Sequence, residues 1–174
     1  MDTADDAAGA GTGAGGGAEP EYAHWTQIPT RWADNDAYGH MNNTVHYEFM
    51  DTAINTWLIE QGGLDYRGGE VIGLCVESQC SYSAEIGFPE VLAVGLAVVR
   101  LGTSSVHYRV GLFRGDRRSK VAEGRFVHVF VDRRTRRPVP VEGRLRAALK
   151  ELERPGGPER AERAESPAVP GGPA

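Results

Sequence analysis

Asp34, Asn35, Asp36, His40, Asn42 and Asn43 crowd the stretch RWADNDAYGHMNN, Arg31 to Asn43, immediately ahead of the strongly periodic run TVHYEFMDTAINTWLIEQ. A carboxylate in such a loop can attack a carbonyl carbon or take a proton from water. Asp34, Asn35, Asp36 and Gly39 are turn formers: Asn and Asp side chains bond nearby backbone, and Gly accepts positive φ. Asn42 and Asn43 stand where a helix N-cap should stand. Unsatisfied N–H groups at the first turn, with the positive end of the helix dipole, can hold a developing oxyanion. A carboxylate beside such a helix start is equipment for acyl transfer.

Each of these residues has a structural reading as well. Asp36 can serve as an Asx-turn residue, and Asp34, the first of the pair, reads more simply as the fastener of the loop. Gly39 meets a backbone requirement that close approach of a substrate would also use. Asn42 and Asn43 read as caps. His40, His46 and the two aspartates offer ligand atoms suited to zinc, but no H-x-x-x-H or paired-cysteine spacing accompanies them, so no metal site is expected. His107 and His128, set on strands, read as hydrogen-bonded structural histidines.

The elements that must position the loop follow from periodicity. Val45, Phe49, Met50, Ala53, Ile54, Trp57 and Leu58 recur at spacings of three and four, with Glu48, Asp51, Thr52, Asn55 and Glu60 opposite, which predicts a helix of about five turns ended by Gly62-Gly63. Residues 71 to 82, 91 to 100, 104 to 113 and 120 to 131 are rich in β-branched and aromatic residues and predict strands. Val106, Tyr108, Val110 and Leu112 share one face, and Ser105, His107 and Arg109 the other. A further strand from about Trp25 to Trp32 carries Pro29, which marks it as an edge or interrupted strand. Residues 141 to 152 predict a short terminal helix. One long helix among antiparallel strands buries its apolar face only against a curled sheet, so the pattern gives an α+β fold.

The segment D-x-D-x-x-G-H-x-N-N, then a helix and a run of strands, resembles the acyl-CoA thioesterases of the hotdog superfamily in the 4-hydroxybenzoyl-CoA thioesterase-like branch, over roughly residues 22 to 150. The resemblance implies a hotdog fold, in which a curled antiparallel sheet wraps one long central helix. It implies Asp36 as the catalytic carboxylate, nucleophile or general base, and the backbone N–H near Asn43 as the group that polarises the thioester carbonyl. Tyr38, Gly39, His40, Asn42 and His46 would line the substrate site, His46 standing where family members commonly carry Tyr. Another branch places its carboxylate on the helix, which makes Glu48 and Asp51 rivals to Asp36; otherwise they are solvated helix charges. The resemblance also implies a homodimer or homotetramer, an acyl-CoA substrate and no cofactor beyond the coenzyme A it carries. The basic run Arg133, Arg134, Arg136, Arg137 reads as a solvated turn, or as a partner for coenzyme A phosphates. A non-catalytic acyl-CoA binding module and an acyl-thioester hydratase or dehydratase are the alternatives.

A net charge of −5 offers no basic field for nucleic acid. Cys75 and Cys80, five apart on one predicted strand, should point to opposite faces about 16 Å apart, and two thiols in a mostly apolar strand suit a reducing cytosol. No apolar run reaches transmembrane length. Residues 1–20 and 153–174, dominated by Gly, Ala, Pro and charge, read as disordered tails flanking one domain at 21–152.

Overall fold

The computed structural model describes residues 21–115 and 117–154; the tails predicted at 1–20 and beyond 154 lie outside them. Five strands form one antiparallel sheet in the order β1-β3-β4-β5-β2: β1 His24–Pro29, β2 Val71–Tyr82, β3 Val91–Leu101, β4 Ser105–Arg114 and β5 Lys120–Asp132. Two α-helices accompany it, α1 Asn43–Glu60 and α2 Gly143–Glu151. β1 lies at an edge, where Pro29 costs no ladder bond. It ends three residues earlier than its pattern predicts, because Arg31 and Asp34 close a 3-10 turn over Trp32–Asp34.

The seven apolar positions expected on α1 are all buried, and His46 joins them. They pack against β3, β4 and β5. Close approach is possible because β5 carries Gly124 beneath the helix: a Cβ there would fall 2.3 Å from Met50 Sδ. The helix stops where Gln61 and Gly62 both donate their N–H to the Trp57 carbonyl. After α2 the chain pairs with β3 once more, the Arg154 N–H donating to the Val98 carbonyl.

Alternation leaves one covered face unseen and misplaces one pair of residues, each for a tertiary reason. Arg109 lies on the face opposite Tyr108, yet it is buried: the segment before β1 covers it, and its guanidinium donates to the Glu21 carbonyl at 2.7 Å while stacking on the Tyr22 ring. Cys75 and Cys80 share a face instead of opposing each other. Cys75 pairs with His128 and Cys80 with Gly124, positions four apart on β5, because a bulge at Val76 inserts one residue into β2. Both thiols are free.

Candidate active site

The loop between β1 and α1 is tied at both ends by Asp34. Its buried carboxylate accepts the Arg31 backbone N–H (2.6 Å) and Nε–H (2.9 Å), and its carbonyl accepts the Asn42 N–H (2.9 Å). The first aspartate is thus the fastener. Arg31 also reaches Glu48 on α1 at 3.2 Å, which occupies that helix acid with an ion pair. Asn35 pairs with Met41 across the loop and accepts the Phe88 N–H through Oδ1 at 3.0 Å.

Between these ties sits a tight turn. The Asp36 N–H donates to the His40 carbonyl (2.8 Å), and its carbonyl accepts the Gly39 N–H (3.2 Å). Gly39 has φ +90, a conformation that a side chain would strain. One Asp36 oxygen, Oδ1, accepts the Tyr38 N–H at 2.8 Å; Oδ2 has no hydrogen-bond partner among the described residues. Asp36 therefore makes the Asx turn and leaves its second carboxylate oxygen unengaged. The Tyr38 side chain is 85% exposed, and His40 is held by Glu85 (Nε2 to Oε2, 3.1 Å) in the connection after β2.

Asn42 caps α1: its Oδ1 accepts the Thr44 N–H at 3.0 Å. The Asn43 N–H, one residue earlier, has no acceptor among the described residues, as the first turn of a helix leaves it. His46 is buried beneath this turn, its Nδ1 3.2 Å from the Asn42 carbonyl and its ring edge-on to Tyr82 at 5.0 Å. Burial holds the His46 imidazole below its ordinary pKa, the bond to Asn42 offsetting part of the effect. Tyr82 closes the arrangement by donating its hydroxyl to the Asn43 carbonyl at 3.1 Å. Its phenol is pushed up to about 12, by burial first and the Cys80 thiol next, so it remains a donor.

Sequence reasoning missed Tyr82. An aromatic residue at a strand end is visible, but not that the strand ends against the start of a helix 39 residues earlier. His128 differs from its structural reading: it is buried, but neither ring nitrogen has a hydrogen-bond partner, and neither does the hydroxyl of Tyr108, whose ring lies 5.2 Å away. Arg133 bonds the carbonyls of Tyr66 and Gly69 and so braces the loop before β2. A cavity of about 420 Å³ lies between that loop and α2, lined by Leu64, Asp65, Val71, Val141, Arg144 and Leu145 among others, and no residue of the 31–43 loop lines it. Among the described residues no three His, Cys, Asp or Glu side chains converge as metal ligands would.

An antiparallel sheet carrying a helix is the architecture of a thioesterase-like domain of the hotdog fold. The family model of the thioesterase-like superfamily matches residues 30–149, and the chain belongs to that family. The crystal structure of the PA5185 protein from Pseudomonas aeruginosa is 56% identical, with TM-score 0.74 over 76% of this chain and 92% of that one. The PA2801 protein of the same organism is 32% identical, with TM-score 0.69 over 74% of this chain and 99% of that one. A 1,4-dihydroxy-2-naphthoyl-CoA thioesterase from Synechocystis, 16% identical, shares the fold with TM-score 0.67 over 75% of this chain and 98% of that one. No curated protein matches the chain.

Proposed function

We propose that the chain hydrolyses the thioester of an acyl-CoA to the free acid and coenzyme A. One observation carries the reading: Asp36 presents an unengaged carboxylate oxygen on a turn whose far end is fixed to the start of α1, where the Asn43 N–H is unsatisfied. The thioester oxygen would take its hydrogen bond from Asn43, strengthened by the helix dipole, as charge develops on it. Asp36 would attack the carbonyl carbon, forming an anhydride that water then opens, or would take a proton from the attacking water. Either route consumes one water and releases the thiol. Gly39, His40 and Asn42 shape the approach, with Tyr38 and His46 beside it.

α1 is read as the central helix that the curled sheet wraps. The active unit is read as a dimer or a pair of dimers, in which a second copy completes the acyl groove. Support comes from β2, an edge strand exposed along most of its length. A coenzyme A thioester as substrate is supported by two fold relatives named as a 1,4-dihydroxy-2-naphthoyl-CoA and a gentisyl-coenzyme A thioesterase. No helix among the described residues is long and apolar enough to cross a membrane. The cytosol is the proposed setting, where Cys75 and Cys80 would stay reduced.

The test is free-thiol release from acetyl-, hexanoyl-, palmitoyl- and benzoyl-CoA by the native chain and by Asp36→Ala. Hydrolysis by the native chain, lost in a folded variant, is the expected result. A folded Asp36→Ala that retains full activity would move the chemistry to another carboxylate. Saturable binding with no turnover by either would make the chain a binding module.

A further inference from the structure

The N–H of Asn43 and the carbonyl of Asn42 belong to one peptide unit, and the two ends of that unit are treated very differently. Its carbonyl accepts two hydrogen bonds, from the Val45 N–H at 3.0 Å and from His46 Nδ1 at 3.2 Å. Its N–H has no acceptor among the described residues. A carbonyl is only an acceptor, so the His46 contact is a hydrogen bond only in the tautomer that carries its proton on Nδ1. Hydrogen bonds in series polarise one another: donors on a peptide oxygen draw charge toward it and make the same peptide's N–H a stronger donor.

From this geometry we infer that His46 is a positioning residue for thioester hydrolysis, holding and polarising the Asn42–Asn43 peptide so that the Asn43 N–H meets the oxyanion more strongly. The inference rests on the proposed function for its chemical meaning, and on the His46–Asn42 bond for its physics. The first turn of a helix ordinarily frays, and here it is clamped from two sides. His46 fixes the Asn42 carbonyl, Tyr82 fixes the next carbonyl at Asn43, and the two rings pack edge to face at 5.0 Å. His46 is 4% exposed, so its ring is held largely out of solvent.

The size of the effect follows from two magnitudes. One oxyanion donor contributes a factor of about 10²–10³ to turnover, and polarisation adds about 10–30% to a bond, so losing the His46 donor should lower kcat about two- to eight-fold. KM should not move, because the ground-state carbonyl uses the donor weakly.

Two variants and one spectrum test it. His46→Phe keeps an aromatic ring against Tyr82 and removes the donor. His46→Asn restores an N–H able to reach the carbonyl four residues back, as Asn55 does toward Asp51 at 3.0 Å in the same helix. In 1H–15N spectra of the full chain, the Asn43 amide proton should move upfield in His46→Phe and return toward its native position in His46→Asn. Turnover of the fastest-hydrolysed acyl-CoA of the four above should fall and recover in parallel. An unmoved Asn43 amide in a folded His46→Phe overturns the inference, as does equal loss of kcat in both variants, which would assign the effect to ring shape. Should the native chain hydrolyse none of the four substrates, the proposed function fails by itself, while the amide shift still decides whether His46 polarises this peptide.

Discussion

Tyr82, the last residue of β2, donates its hydroxyl to the carbonyl of Asn43, the first residue of α1, at 3.1 Å. The contact binds the sheet's edge strand to the end of the helix that faces Asp36. Replacing Tyr82 with Phe keeps the ring against His46 and removes this donor. The loss expected is about 0.5–1.5 kcal/mol in stability, together with a several-fold drop in thioester turnover at unchanged KM. Urea denaturation and steady-state rates on the purified variant check both, and unaltered turnover would separate Tyr82 from the site.

The two loop aspartates should respond in opposite ways. Asp34 is 1% exposed and accepts from the Arg31 backbone N–H and guanidinium, so Asp34→Ala removes both of these ties and should cost about 1–3 kcal/mol. Asp36 makes one bond at a half-buried position, so Asp36→Ala should cost under about 1 kcal/mol while abolishing hydrolysis. Chemical denaturation ranks the pair, and a larger loss from Asp36→Ala would make that residue the structural one.

Acid should weaken the fold through its buried histidines. Burial lowers the pKa of His24, His46 and His128 below the ordinary imidazole value. Each imidazole binds a proton less readily folded than unfolded, so below about pH 6.5 the unfolded chain takes up the extra protons and stability falls as pH drops. Melting temperature should therefore be lower at about pH 5.5 than at about pH 7.5. A flat profile would show that these histidines titrate alike in both states.

His128 should carry part of that slope and a separate stability cost. Neither of its ring nitrogens has a partner, and an unsatisfied buried polar group costs about 1–3 kcal/mol. His128→Phe keeps a ring beside Tyr108 and should raise the melting temperature, more at low pH than at neutral pH. A variant less stable at both would mean that the imidazole has partners in the assembled protein.

Gly124 sets how closely α1 lies on the sheet. Gly124→Ala places a methyl 2.3 Å from Met50 Sδ and should cost about 1–3 kcal/mol by overpacking. Combined with Met50→Ala, the double variant should lose clearly less than the sum of the two singles, since the new methyl fills space that the truncation opens. Strict additivity in thermal melts would show that the two do not meet.

The sequence by itself determined what depends on neighbours along the chain. Helix period placed Val45, Phe49, Met50, Ala53, Ile54, Trp57 and Leu58 on the buried face of α1, and turn chemistry marked Asp36 and Gly39 at a tight turn. Pro29 marked β1 as an edge strand. Only the tertiary structure decided which faces are covered and where strands end. Alternation placed Arg109 opposite the core but could not show that Glu21 and Tyr22 fold over that face. It set Cys75 and Cys80 apart, and a one-residue bulge at Val76 reversed their relation, because every residue beyond an insertion changes side. Tyr82 meets His46 and the Asn43 carbonyl from a strand end 39 residues beyond Asn43. Periodicity is a local property, whereas the bond from Tyr82 to Asn43 exists only once β2 has been laid against the start of α1.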